Sequence, residues 1–308
     1  MEEVIVGGSG HGGSGCTRPR VRDWFMADRA TSGDATATAV GGDEGSRGRR
    51  LHLIVTGDVM PGRGVDQALP TSVPPILYER YVTDARIVNL ETALTTCDLP
   101  WPGKPVHYRM HPANVELLTC AGIDVAVLAN NHVLDWSRAG LRETLAVLDR
   151  AGIAPAGAGT DPVIVSLHWG PNWGYDAPAW QRAFAHRLID AGAADLVHGH
   201  SSHHPKGIEV HEDRAILYGA GDLLNDYEGI RGHAAYRPDL SLLYLPTLDA
   251  DGALVSLELL PLRTRRFRLE RAPAEDAQWL AATVGRASRD FGVGIELASE
   301  GRLALRWR

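Results

Sequence analysis

The feature that most restricts the fold is a series of five short apolar runs between residues 51 and 200, separated by segments in which apolar residues recur at helical spacing. The runs are LHLIVTGD, ARIVNLE, IDVAVLANNH, PVIVSLHWG and ADLVHGH. Apolar runs this short are typical of strands that are buried on both faces of a sheet. Strands that alternate with helices predict an α/β fold with a layered sheet.

Each run ends on, or just before, side chains of types that bind metal ions. These residues are Asp58, Glu91, Asn131, His132, His168, His200 and His203. Sites in open α/β sheets form beyond the carboxyl ends of the strands. We therefore expect the side chains at the five strand ends to meet in one crevice.

The mixture of carboxylate, amide and imidazole groups, without a thiolate, favours zinc, manganese or iron. Six ligands are too many for one tetrahedral ion and predict two divalent metal ions. Such a pair lowers the pKa of water and holds a phosphoryl oxygen, so the predicted reaction is hydrolysis of a phosphate ester. The predicted partner is a small anionic or phosphate-containing substrate. Arg63 is a candidate to bind its phosphate, with an ordinary surface arginine as the alternative.

The candidate ligands also have structural interpretations. Asp58 could form a turn, Glu91 could cap the following segment, and His168 could be a core histidine bonded to a backbone carbonyl. Within the histidine-rich stretch, His198 could support the ligands by contacting them, and His204 could either do the same or lie at the surface. A histidine-rich tract that binds metal without catalysis is a further alternative.

Six motifs occur in one order between Leu51 and Leu262: GDVMPGR, VNLETAL, LANNH, SLHWG, GHSSHHPKGIE and YGAGDLLNDYEG. Together they resemble the CapA family, named for poly-gamma-glutamate capsule synthesis, within the calcineurin-like metallophosphoesterase superfamily. The resemblance implies a layered metallophosphoesterase sandwich. It also implies metal ligands at Asp58, Glu91, Asn131, His168, His200 and His203, with His132 assisting the leaving group. Met60 stands where the superfamily usually has a histidine.

One part of the chain departs from this family pattern. CapA-like proteins carry roughly sixty residues between the GAG motif and the VIVSLHWG strand, whereas here GAGT runs directly into DPVIVSLHWG. The resemblance therefore implies that a segment with at least one strand and its helix is missing around Thr160. No candidate ligand falls in this gap, and we expect PVIVSLH to be a central strand.

Composition excludes several classes of protein. The 38 acidic and 31 basic residues give a net charge of −7, which opposes a nucleic-acid binder that depends on a basic surface. The three cysteines are widely spaced, which opposes a disulfide framework. No apolar run approaches the ~20 residues of a membrane span, and no signal peptide is visible, so the expected location is the cytoplasm.

Three regions are predicted. Residues 1–50 are rich in glycine and small polar residues and are expected to be a disordered leader. Residues 51–262 are expected to form the CapA-like metallophosphoesterase domain, and residues 263–308 a C-terminal strand and helix extension. We also expect hairpins around Asp213 and around residues 249–252, and a last helix over residues 274–288.

Two functions remain open at this point. The first is a metal-dependent hydrolase that acts on a phosphate ester. The second is a non-catalytic or accessory protein in the synthesis or export of an anionic polyglutamate capsule. Bound metal separates them, because two ions per chain favour the hydrolase and none favours the accessory protein.

Overall fold

The structure, a computed structural model, describes residues 50–62, 85–155, 163–225, 232–249, 251–265 and 268–307. The strands are β1 (Leu51–Val59), β2 (Ala85–Leu90), β3 (Ala93–Leu94), β4 (Arg109–Met110), β5 (Val125–Val127), β6 (Ala154–Pro155), β7 (Ile164–His168), β8 (Leu196–His200), β9 (Ile208–His211), β10 (Arg214–Leu217), β11 (Asp222–Leu224), β12 (Leu240–Leu248), β13 (Leu254–Arg265), β14 (Arg268–Arg271), β15 (Gly294–Leu297) and β16 (Leu303–Arg306). The α-helices are α1 (Glu116–Cys120), α2 (Ser137–Ala151), α3 (Ala179–Asp190) and α4 (Ala274–Ser288).

Most strands belong to two sheets. The larger sheet has the order β15-β16-β13-β12-β1-β2-β5-β6, with β11 paired to β1 and β14 paired to β13. The neighbours β1, β2, β5 and β6 are parallel, whereas β12 joins β1 in antiparallel fashion. The smaller sheet has the order β7-β8-β10-β9. This mixture of parallel strands and helices confirms the α/β class.

The two sheets pack face to face, with α1, α2 and α3 on their outer faces and α4 packed against the core between them. Ile54 of β1 belongs to the core shared with α1 and α2, whereas its neighbours Leu53 and Val55 belong to the core shared with the smaller sheet. This alternation follows from the two-residue period of a strand. Ala185 and Ile189 of α3 cover the far face of the smaller sheet.

The sheet arrangement corrects one expectation and confirms others. PVIVSLH was expected as a central strand, but among the described strands β7 stands at one end of the smaller sheet. The reason is that β6 and β7, although close in sequence, belong to different sheets. The hairpins β9–β10 and β12–β13 and the helix α4 are confirmed.

The regional boundaries stay predictions. Residues 1–49 lie outside the described part of the chain. The strand β13 runs through the expected boundary at residue 262, and β14 and β16 pair with it in the larger sheet. Within the described ranges, no helix combines the length and apolar character that crossing a membrane requires.

Candidate metal centre

Strand register brings several of the candidate residues together. Asp58 on β1 lies opposite Asn89 on β2 and opposite Asp222 on β11. His168 on β7 lies opposite His200 on β8. The five strand ends therefore come from two sheets rather than one, and the face-to-face packing of those sheets brings them close to each other.

Asp58 and the histidine pair meet where the two sheets pack together. His200 Nδ1 lies 3.3 Å from Asp58 Oδ1 and 3.2 Å from His168 Nδ1. Two ligand atoms on a tetrahedral zinc ion are about 3.3 Å apart, given bonds of 2.0–2.1 Å. Asp58 and His200 are fully buried, and His200 Nε2 has no hydrogen-bond partner among the described residues. Asp58 and His168 therefore each lie from His200 Nδ1 at a spacing that two ligands of one metal ion have.

A second carboxylate, Glu91, is buried near Asp58. Asn89 Nδ2 donates to Asp58 Oδ1 at 2.8 Å and lies 3.5 Å from Glu91 Oε2. Burial and the neighbouring Asp58 raise the pKa of Glu91 well above its ordinary value. Burial alone would also raise the pKa of Asp58, but the hydrogen bond and charge of His200 hold it below its ordinary value. Two buried carboxylates this close require a cation or a shared proton.

The adjacent residues Asn130 and Asn131 face different environments. Asn130 is buried, and its Nδ2 donates to Asn89 Oδ1 and to the Leu90 carbonyl, both at 3.0 Å. The side chain of Asn131, the predicted ligand, is exposed. Asn131 is therefore not brought into the cluster, and its role as a ligand stays a prediction. The doubled asparagine in LANNH was the only sequence signal for Asn130.

His132 lies at the edge of the cluster with a partner on each side of its ring. Its Nδ1 lies 2.7 Å from Asp135 Oδ2, and its Nε2 lies 3.7 Å from Glu91 Oε1. Asp135 also accepts the Tyr108 backbone N–H at 2.6 Å and pairs with Lys104. Burial alone would raise the pKa of Asp135, but these hydrogen bonds lower it. Sequence reasoning missed Asp135 and Lys104.

His203 is held by a separate set of polar groups. Its Nδ1 lies 3.0 Å from Asp222 Oδ2, and its Nε2 lies 3.0 Å from Asn172 Nδ2. Asn225 Nδ2 donates to the same Asp222 carboxylate at 3.1 Å. Burial alone would lower the pKa of His203, but Asp222 raises it. Asp222 thus connects His203 to the strand that carries Asp58.

The remaining histidines of the tract lie outside the ligand contacts. His198 Nε2 lies 2.8 Å from the Thr56 carbonyl, and its Nδ1 lies 2.9 Å from Ser166 Oγ. Burial lowers the pKa of His198 to about 3. The ring of His204 lies 4.7 Å, between centroids, from the rings of Tyr175 and Tyr236. Arg63, the candidate phosphate-binding residue, lies outside the described residues.

The part of the chain that resembles known proteins includes the residues of this cluster. The family described as bacterial capsule synthesis protein PGA_cap matches residues 52–162 and 159–227. A probable polyglutamine synthesis accessory protein of Mycobacterium tuberculosis is 37% identical over 352 residues, covering 79% of this chain and 92% of the relative. The PGA biosynthesis protein CapA of Bacillus subtilis is 22% identical over 243 residues, covering 57% of this chain and 63% of the relative. The capsule biosynthesis protein CapA of Bacillus anthracis is 21% identical over 257 residues, with coverages of 58% and 60%.

Proposed function

The chain belongs to the PGA_cap family of bacterial capsule synthesis proteins, and on that premise we propose that its buried cluster hydrolyses a phosphate ester with divalent metal ions. The observation that carries the proposal is the meeting of Asp58 and Glu91 with His168 and His200 at the junction of the two sheets. Sequence-distant carboxylates and imidazoles collected in a buried position are typical of a metal site.

The proposed metal ligands at the cluster are Asp58, Glu91, His168 and His200, with His203 beside Asp222. Asn131 would join them only by turning inward from its exposed position. Bound ions would polarise the phosphoryl oxygens and lower the pKa of water. The substrate class that suits such ions is a small anionic or phosphate-containing molecule. Manganese, zinc and iron all suit this set of oxygen and nitrogen donors.

The proposed role of His132 is to hold a proton near the leaving oxygen. Asp135 accepts a hydrogen bond from His132 Nδ1–H, so that Nε2 faces the cluster beside Glu91. The ammonium group of Lys104 pairs with Asp135 and keeps that carboxylate in position. Asp135 and Lys104 are therefore positioning residues, whereas His132 is the catalytic one.

The test combines metal analysis of the purified protein with a panel of phosphate esters in the presence of manganese. We expect His168→Ala and His200→Ala each to remove bound metal and activity together, because each supplies a nitrogen to the site. The control is His52→Gln, an exposed residue at the opposite end of β1 from Asp58. Circular dichroism of each variant shows that it is folded. Full activity in either alanine variant would contradict the assignment.

A second candidate function is an accessory, non-catalytic role in making or exporting an anionic polyglutamate. The observation that favours it is the naming of the mycobacterial relative as a polyglutamine synthesis accessory protein. This function predicts that the folded chain binds labelled poly-gamma-glutamate and carries no metal at the cluster. Two bound ions with hydrolysis of an ester would favour the first function instead.

A further inference from the structure

A second group of metal-binding side chains lies between α3 and β9, and none of its residues belongs to the cluster at the strand ends. His186 and Asp190 are four residues apart on α3 and so share one face of the helix. Glu209 and His211 are two residues apart on β9 and so share one face of the strand. The helix face and the strand face meet, because His186 Nε2 lies 2.9 Å from Glu209 Oε1 and His211 Nε2 lies 2.7 Å from Asp190 Oδ1.

Three donor atoms of this group converge. The ligand atoms of His186, Glu209 and His211 all lie within 4.8 Å of one another, a spacing that no other group of three such side chains reaches in the described part of the chain. The two imidazole rings stack in parallel, with centroids 3.9 Å apart and an interplanar angle of 1°. Each Nε2 lies beside a carboxylate, that of Glu209 for His186 and that of Asp190 for His211, and one ion can be bound by both rings once they turn out of this stack.

The surroundings of Glu209 leave one of its oxygens for the group. Its Oε2 accepts the hydroxyl hydrogen of Tyr218 at 2.6 Å, whereas Oε1 faces His186. The side chains of His186 and His211 are about one quarter exposed, which leaves a path for an ion from solvent.

We propose that His186, Glu209 and His211 bind a divalent transition-metal ion, with zinc the best match, and that this ion links α3 to β9. Two imidazole nitrogens and a carboxylate oxygen are a ligand set that zinc accepts, and Asp190 beside His211 can supply the fourth ligand. The strand β8 lies between the linked elements in the chain, and β9 is the last strand of the smaller sheet among those described. A metal bridge here stabilises that side of the fold and is independent of the proposed hydrolase function.

The test measures zinc bound by the purified full chain at micromolar free zinc, together with the effect of zinc on the melting temperature. We expect His186→Gln and His211→Gln each to lose one equivalent of zinc per chain and to lose the zinc-dependent rise in melting temperature. The control His52→Gln should lose neither. Melting in EDTA shows whether each variant folds without metal. The comparison is a difference between variants, so it holds whether or not the cluster at the strand ends also binds zinc.

A second measurement needs no variant. Diethyl pyrocarbonate should modify His186 and His211 in EDTA, and zinc should protect both of them, as read by peptide mass spectrometry. Zinc contents equal to that of the unsubstituted chain in both folded variants would overturn the proposal. So would equal modification of the two histidines with and without zinc, which would identify the group as hydrogen-bonded pairs only.

Discussion

The hydrogen bond between His132 Nδ1 and Asp135 Oδ2, at 2.7 Å, determines which ring nitrogen faces Glu91. A leaving-group acid contributes about 10²–10⁴-fold to turnover. We therefore expect His132→Ala to lower kcat by that factor while bound metal stays unchanged. Asp135→Asn should lower kcat by a smaller factor. The amide oxygen can still accept a hydrogen bond from Nδ1–H, but it carries no charge to stabilise the protonated imidazole. Loss of metal in His132→Ala, measured beside kcat, would show that His132 is a ligand instead.

Arg237 provides a prediction about pH at the same scale. Its guanidinium pairs with Asp239 at 2.8 Å and with Asp276, in the first turn of α4, at 3.0 Å. Burial alone would raise the pKa of Asp239, but hydrogen bonds from Arg237 lower it. A lowered pKa in the folded state stabilises the protein above the unfolded value of about 3.9, and this contribution is lost as pH falls through the folded value.

We therefore expect Arg237→Met to lower the free energy of unfolding by about 1 kcal/mol at pH 7. The loss should shrink as pH falls from about 4 through the lowered folded pKa of Asp239, below which that carboxyl group is protonated in both proteins. Urea unfolding of both proteins at pH 7 and pH 3 measures this. A loss of the same size at both pH values would show that the pairing with Asp239 does not contribute.

At the scale of elements, close contact between β1 and the turn before β11 holds Asp58 in place. A Cβ atom added at Gly57 would lie 1.7 Å from the carbonyl oxygen of Gly221, and the Asp58 N–H donates to that same oxygen at 2.9 Å. Gly57→Ala must therefore push the two backbones apart. We expect a loss of about 1–3 kcal/mol or more in the free energy of unfolding, together with loss of metal at the cluster.

The matched control for this change is Gly294→Ala on β15, where the nearest atom to an added Cβ is 3.9 Å away. We expect that variant to keep its stability and its metal. Thermal unfolding and metal content of the two variants give the comparison. If Gly57→Ala behaves like Gly294→Ala, the close approach of β1 to Gly221 does not position Asp58.

At the scale of the whole molecule, the strands that directly precede and follow residues 156–162 in sequence are β6 and β7. Among the described strands, β6 is last on one side of the larger sheet and β7 is last on one side of the smaller sheet. The family matches this chain in two segments, which overlap at residues 159–162. The alignment with the mycobacterial relative is 352 positions long, which exceeds the 308 residues of this chain. It includes only 79% of those residues, so many of its positions are gaps in this chain. These observations favour a segment of the relatives that has no counterpart here.

We expect insertion of that segment from the mycobacterial relative, between Thr160 and Asp161, to raise the melting temperature and reduce aggregation. The physical reason is that sheet edges without a neighbour offer unpaired backbone groups to other chains. Thermal unfolding and light scattering compare the two proteins, and a glycine–serine insert of equal length is the control. An insertion that changes neither quantity would show that the fold is complete without the segment.

The sequence by itself determined the α/β class, the bounds of α4, the two hairpins and the identity of most residues in the cluster. It could do so because apolar periodicity, turn residues and the polar residues that end a strand are local signals. Only the tertiary structure decided that β7 and β8 form a second sheet, and that Asn130 rather than Asn131 faces the cluster. It alone revealed Asp135 and the histidine pair between α3 and β9 as parts of sites. These contacts join residues through strand register and the packing of one sheet on another, which no local pattern of residues specifies.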